Sequence, residues 1–184
     1  MSKLLIVIIV LVVLGILAAL GLTLLAILAS GAKGPRRFAL SAPTNADSFI
    51  KAAPWSATVT VDLPESAPEV RQRLQSGPTV GAQPAFSGPV VENGTRTYRG
   101  LIATTSRVVD EQPNGVTAAG TGISIPLAVK SYVERWSVEQ TPSGSTVTCT
   151  LAFSPKFFGF LPIGWTAVFA KPFIRFGIRR AFSA

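Results

Sequence analysis

The 184 residues carry 17 Lys and Arg against 9 Asp and Glu, a net charge of +8, and 48% of them are hydrophobic. There is no histidine and only one cysteine, which excludes a disulfide within the chain and removes the commonest general base and metal ligand together. With the apolar N-terminal stretch set aside, about 150 residues remain, enough for one core and too few for two.

Leu4 to Ala29 contain no charged side chain and a single hydroxyl, Thr23. These 26 residues make about 39 Å of helix at about 1.5 Å per residue, against about 30 Å of bilayer hydrocarbon. Only a helix satisfies its own backbone in lipid as a single span. The rival reading is a cleaved signal peptide, with Ala29-Ser30-Gly31-Ala32 as small residues for the cut, but a signal's apolar region is about 7 to 15 residues. A retained, single-pass anchor is therefore expected. Lys33, Arg36 and Arg37 follow the segment and Lys3 precedes it, which favours a cytoplasmic domain. Gly15 and Ala19, four residues apart, place small side chains on one helix face, where another membrane helix can approach closely. The alternative is that Gly and Ala are simply common in such helices.

Gly31 to Pro54 hold Gly, Pro, Ser, Thr and Asn without a sustained period and read as a linker. The expected division is an anchor at 1–30, a linker at 31–56 and one folded domain at 57–184. Phe49, Ile50 and Trp55 fit either the membrane interface or the domain.

All nine acids and 15 of the 17 basic residues lie beyond Gly34, so this part carries 15 − 9 = +6. With an anchor present, the nearest anionic neighbour is the lipid headgroup surface. No zinc finger, helix-turn-helix, RNP-like pattern or dense basic tract supports nucleic acid as a partner.

Ala57 to Leu63 alternate as a strand with Val59, Val61 and Leu63 on one face. Ser66 as N-cap, Pro68 in the first turn and Glu69 at the capping-box position open a short helix burying Val70 and Leu74, stopped by Gly77-Pro78. Pro78 to Pro89 is ambiguous. Strands are predicted over Pro89–Val91 and Thr95–Thr104, joined at Asn93-Gly94, then over Ser106–Glu111, Val116–Ile125, Val129–Gln140 and Thr146–Phe153. Hairpins at this spacing make an antiparallel sheet. Cys149 falls in the last alternating run as a small buried residue. Asn93-Gly-Thr95 matches a glycosylation sequon, but the hairpin turn accounts for it. Gly164 to Phe182 reads as a helix kinked at Pro172, with Val168, Phe169, Phe173, Phe176 and Ile178 on one side and Lys171, Arg175, Arg179 and Arg180 on the other.

Strand, short helix, long antiparallel meander and closing helix is the element order of the helix-grip fold. The chain resembles the SRPBCC superfamily, the START-like and polyketide cyclase/dehydrase-like proteins. Val59–Leu74 (VTVDLPESAPEVRQRL) resembles the first strand and short helix, Arg107–Gly122 (RVVDEQPNGVTAAGTG) part of the meander, and Tyr132–Phe153 (YVERWSVEQTPSGSTVTCTLAF) the last hairpin. The resemblance implies an α+β fold in which a curved antiparallel sheet grips the C-terminal helix around an apolar cavity, used by relatives for lipids and other hydrophobic molecules. Pro172 and the short closing helix depart from the pattern and imply a shallow or open cavity.

Tyr132, Glu134 and Trp136 share one face of a strand, and with Phe169 and Phe173 they are the candidate ligand cavity. The alternative is a solvent-facing row with an ordinary cross-strand ion pair. Arg96 and Arg99 near Tyr98 read as a charged outer face or an anion site. The absence of a phosphate-cradling Gly motif, a metal cluster or a nucleophile–base pair leaves no catalytic residue, cofactor or metal to expect. Lys156, Lys171, Arg175, Arg179 and Arg180, interleaved with Phe157, Phe158, Phe160, Trp165 and Phe169, are the candidate membrane-surface residues. The expectation is a membrane-anchored, non-enzymatic binding module for a lipid or other hydrophobic ligand. Its alternative is an accessory subunit docking on other membrane protein subunits through its apolar helix.

Overall fold

The computed structural model describes residues 3–30, 37–77, 86–100, 104–125, 129–156 and 162–182. Helix α1 (Lys3–Ser30) is apolar on every side between its ends and exposes its large side chains from Leu5 to Leu24 and at Ile27. Within it Leu5–Leu24 is long and apolar enough to cross a membrane, a property that N-terminal signal sequences share. The one hydroxyl within Leu5–Leu24, Thr23 Oγ1, donates back to Ala19 O at 2.8 Å, which satisfies it on an apolar surface.

The described strands are β1 (Phe38–Ala39), β2 (Trp55–Leu63), β3 (Phe86–Glu92), β4 (Thr95–Gly100), β5 (Thr104–Gln112), β6 (Gly115–Ile123), β7 (Val129–Thr141) and β8 (Gly144–Pro155). They form one curved antiparallel sheet in the order β2-β8-β7-β6-β5-β4-β3, with β1 on β6. The turn between β3 and β4 has positive φ at both Asn93 and Gly94, 49° and 71°, the geometry that makes Asn-Gly a tight hairpin. Direct pairing of β6 with β7 ends at Ala119 and Val133. Beyond it residues 38–41 wedge between the strands: Phe38 pairs with Ile123, Leu40 N donates to Thr121 O, and Ser41 N to Lys130 O.

β2 alternates buried and exposed residues along its whole length, so the sheet has a distinct inner face. Helix α3 (Ala67–Ser76) packs there through Ala67, Val70 and Leu74 and stops at Gly77, whose φ of 85° suits a glycine C-cap. At its start the Glu69 carboxylate accepts from the Ser66 backbone and hydroxyl at 3.0 and 2.8 Å. Those bonds hold the Glu69 pKa below its ordinary value.

A 3-10 turn (Ile163–Thr166) leads into helix α4 (Ala167–Phe182), which continues through Pro172 and lies mainly along β2. The main core joins Val59, Val61 and Leu63 of β2, Trp136 and Val138 of β7, Val147 and Cys149 of β8, and Ile178 and Phe182 of α4. Trp136 meets Phe182 edge-on at 6.4 Å.

Two sequence expectations need correction. The segment at 31–56 is structured in its described part: besides β1, it holds helix α2 (Ala46–Ala52), and Trp55 and Ser56 already belong to β2. Asn45 caps α2 by accepting from Ser48 N at 2.9 Å, and Asp47 pairs with Arg135 on the outer face of β7. The helix is too short to show a period, which is why composition alone reads as linker.

The second correction concerns α4. Its sheet side is built from Ala167, Ala170, Ile174, Gly177, Ile178, Ala181 and Phe182, while Val168, Phe169, Phe173 and Phe176 face away. Small residues let the helix axis come close to the strands, and the bulkier rings are left outside.

Candidate functional site

The pleat of β7 sends Tyr132, Glu134 and Trp136 to the inner face, opposite Phe153, Leu151 and Cys149 of β8. On the other side Glu134 faces Ala118 of β6, and Gly120 of β6 faces Arg107 of β5. Arg107, missed in the sequence reading, is the centre of the cluster. Its Nη1 donates to Glu134 Oε2, and Trp136 Nε1 donates to Glu134 Oε1. Both members of the ion pair are nearly sealed from water, with side-chain exposures of 4% and 7%.

The guanidinium stacks over the Tyr98 ring of β4, 4.2 Å from its centroid, and the Tyr98 hydroxyl donates to Gly77 O at 2.8 Å. The Tyr132 hydroxyl pairs with Thr105 Oγ1. Gly120 is required beneath that tyrosine, because a Cβ there would run into its ring.

Burial by itself depresses the Arg107 guanidinium, but the Glu134 carboxylate, with lesser contributions from Tyr98 and Tyr132, outweighs it and holds the pKa above the ordinary value. Tyr132 moves up because burial disfavours its phenolate, although Arg107 opposes the shift. Arg107 therefore stays charged and Tyr132 neutral at ordinary pH. Nε and Nη2 of Arg107 are buried without a hydrogen-bond partner, so two donors remain for a polar group brought into the inner face.

Space is distributed unevenly. Around Arg107, between Leu74, Tyr98, Val116 and Trp136, the hollow is about 10 Å³, at the lower limit for one water. A larger cavity of about 260 Å³ lies where β7 begins and β8 ends, lined by Trp55, Val129, Tyr132, Val133, Leu151, Ala152 and Phe153. Trp55 stacks on Phe153 with centroids 4.6 Å apart, and its Nε1 donates to Thr166 Oγ1 at 3.0 Å. Tyr132 belongs to both regions: its ring lines the apolar cavity and its hydroxyl faces the polar cluster.

Of the cavity residues expected from sequence, Tyr132, Glu134 and Trp136 come together, whereas Phe169 and Phe173 are 65% and 78% exposed on the far side of α4 and do not line it. Arg96 turns to the inner face, where it bonds Leu74 O and Glu111, and Arg99 is exposed on the other side. Lys156, Lys171, Arg175, Arg179 and Arg180 are all exposed. Gly15 and Ala19 are exposed on α1, and a Cβ at Gly15 would meet nothing within 4 Å. Phe157, Phe158 and Phe160 lie outside the described residues. Among the described residues no group of three or more His, Cys, Asp or Glu is placed to hold a metal ion.

Arg107 gave a faint signal. It keeps the phase of Val109 and Glu111 along β5, but the register shift between Ser106 and Arg107 is invisible in the sequence.

A sheet curved against a closing helix, with an apolar hollow beside a buried polar cluster, is the helix-grip architecture of the SRPBCC and polyketide cyclase fold. Residues 50–184 match the family described as "Polyketide cyclase / dehydrase and lipid transport", and the chain belongs to that family. No curated protein sequence matches it. Similar solved structures include an uncharacterized protein from Bacillus thuringiensis at 16% identity, covering 70% of this chain and 99% of the other with a TM-score of 0.55. Ara h 8.0201 is similar at 15% identity over 70% and 98% of the two chains, TM-score 0.52. The di-domain ARO/CYC StfQ from the steffimycin biosynthetic pathway is 14% identical over 70% of this chain and 49% of its own, TM-score 0.50. At these identities the likeness concerns the fold.

Proposed function

We propose that the protein is a membrane-anchored, non-enzymatic module that holds a lipid or other hydrophobic molecule near the bilayer. The observation that carries this reading is the apolar cavity of about 260 Å³ joined through Tyr132 to a buried guanidinium with two free donors. An apolar body fits against Trp55, Leu151 and Phe153, and a polar end turned toward Tyr132 approaches the Arg107 cluster. The family embraces lipid transport as well as cyclase and dehydrase chemistry. Binding is favoured here because the sequence has no histidine and the one thiol, Cys149, is buried with its pKa pushed well up by burial and by the nearby Glu134. α1 supplies the anchor, and the positive residues after it favour a cytoplasmic domain.

Native mass spectrometry of the full chain released from membranes in mild detergent tests the reading. The expected result is a population carrying a lipid-sized adduct, lost when Val129→Trp fills the cavity. Wild-type protein without an adduct would refute it. A second reading, an accessory subunit of a larger membrane complex, is favoured by the uncovered small-residue face at Gly15 and Ala19. It expects stoichiometric protein partners in the same spectra, lost on Gly15→Ile with Ala19→Ile.

A further inference from the structure

Helix α4 is apolar on its outer side as well as on the side that packs against the sheet. Phe169, Phe173 and Phe176 are spaced by four and three residues and form one stripe on its outer side. Trp165, four residues before Phe169, extends the stripe and meets that ring edge-on at 5.9 Å. The four rings are 66%, 65%, 78% and 59% exposed in chain order. Lys171, Arg175 and Arg179, spaced by four, form an exposed cationic row further round the helix, and Arg180, four residues after Phe176, continues the stripe itself. α4 contains no acidic residue.

Contiguous exposed apolar surface of this kind marks an interaction site. The juxtaposition of an aromatic stripe and a basic row suits a helix lying in the bilayer interface, with rings at the acyl boundary and cations among the headgroup phosphates. A second copy of this chain is disfavoured as the occupant, because pairing two such helices would set four cations against four.

We propose that the outer side of α4 docks on an anionic membrane surface, with Trp165, Phe169, Phe173 and Phe176 inserted and Arg175 and Arg180 reaching the headgroups. The proposal rests on the anchored reading, since α1 keeps the domain at high effective concentration beside the lipid and lets a modest face suffice. Docking also has a consequence for the cavity. Trp55 is bonded to Thr166 at the start of α4, so the docked helix brings the apolar hollow lined by Trp55 and Phe153 close to the lipid that would fill it.

The test uses the full chain in nanodiscs holding one copy each, of phosphatidylcholine alone or mixed with phosphatidylglycerol, with brominated lipid as the quencher. Trp55 and Trp136 are buried, so the signal lost on Trp165→Phe reports the stripe. Strong lipid quenching of Trp165 and shielding from aqueous acrylamide are expected in the anionic discs. Arg175→Glu with Arg180→Glu is expected to reduce the docked fraction relative to undocked by at least about thirtyfold, and Phe169→Ser with Phe173→Ser to abolish docking without altering the strand signal in circular dichroism. A Trp165 open to acrylamide and unquenched in anionic discs overturns the proposal, as does shielding that appears only when several copies share a disc. A chain that does not enter the lipid fraction overturns the anchored reading and this proposal with it. Absence of a bound adduct in the mass spectra, with Trp165 quenched, overturns only the ligand reading.

Discussion

Replacing Glu134 by Gln tests the core of the site, because it keeps one acceptor oxygen for Arg107, turns an amide NH2 toward Trp136 Nε1, and deletes the one carboxylate among the described residues that meets the guanidinium. At 4% and 7% exposure the pair is largely protected from solvent screening. Two unit charges about 4 Å apart attract by about 4 kcal/mol at an effective dielectric near 20, and a neutral hydrogen bond returns about 1 kcal/mol. The Tyr98 ring under the guanidinium is worth about 0.5–2 kcal/mol and is present in both proteins. The expected loss is therefore about 3 kcal/mol, at the lower end of the roughly 3–5 kcal/mol found on breaking buried pairs. For a domain of this size that is a fall in Tm of about 10 °C, read from tryptophan emission during heating of the full chain in detergent. The double variant Arg107→Met, Glu134→Leu removes both charges and should recover most of the loss, since apolar replacement of a buried pair is often neutral. A fall of under about 1 kcal/mol in Glu134→Gln, or additive losses in a full double-mutant cycle, would refute the reasoning by showing the pair to be hydrated.

Three further outcomes follow from the packing. Ile178→Ala, at a position 1% exposed on the inner side of α4, should cost about 2–5 kcal/mol, while Phe173→Ser on the outer side should stay within about 0.5 kcal/mol; chemical denaturation of both variants checks which face is buried. Gly120→Val pushes a branched side chain into the Tyr132 ring and should cost about 1–3 kcal/mol, with the Tyr132 hydroxyl displaced from Thr105 and its proton resonance shifted. Cys149 should resist thiol reagents until the chain unfolds. Because burial and Glu134 raise its folded pKa while the unfolded thiol ionises near about 8.5, its contribution to stability is whole below that pH and declines above it, and Cys149→Ala should flatten the alkaline slope of the denaturation midpoint.

The sheet was legible because its signals are local. β2 alternates so regularly that periodicity identifies both the strand and its buried face, Asn93-Gly94 announces a hairpin by itself, and Ser66 with Glu69 marks the start of α3. The shared face of Tyr132, Glu134 and Trp136 follows from the pleat alone. That this face points inward, rather than to solvent, depends on pairing with β6 and β8, which no local pattern encodes. The Arg107–Glu134 contact is less accessible still, since it joins residues 27 positions apart across strands whose register shifts beside Arg107.

The reading of α4 failed for a reason that also explains where the cavity sits. Ranking positions by hydrophobicity assigns Phe169 and Phe173 to the buried side, yet burial is decided by fit against β2, and Ala167, Ala170, Gly177 and Ala181 allow the closer approach. Close approach has a cost in volume: with Ile178 and Phe182 packed onto Val61, Trp136 and Val147, the space under the helix is filled, and the hollow beside Arg107 shrinks to about 10 Å³. The apolar cavity lies instead near the start of the helix, where β7 diverges from β6 and Val129 and Tyr132 line it together with Trp55, Leu151 and Phe153. Small residues facing the sheet thus produce two features together, a cavity moved from beneath the helix to its end and a row of aromatic rings turned outward. Enlarging Gly177 to Leu would oppose both, lifting α4 from the strands and opening space above Trp136.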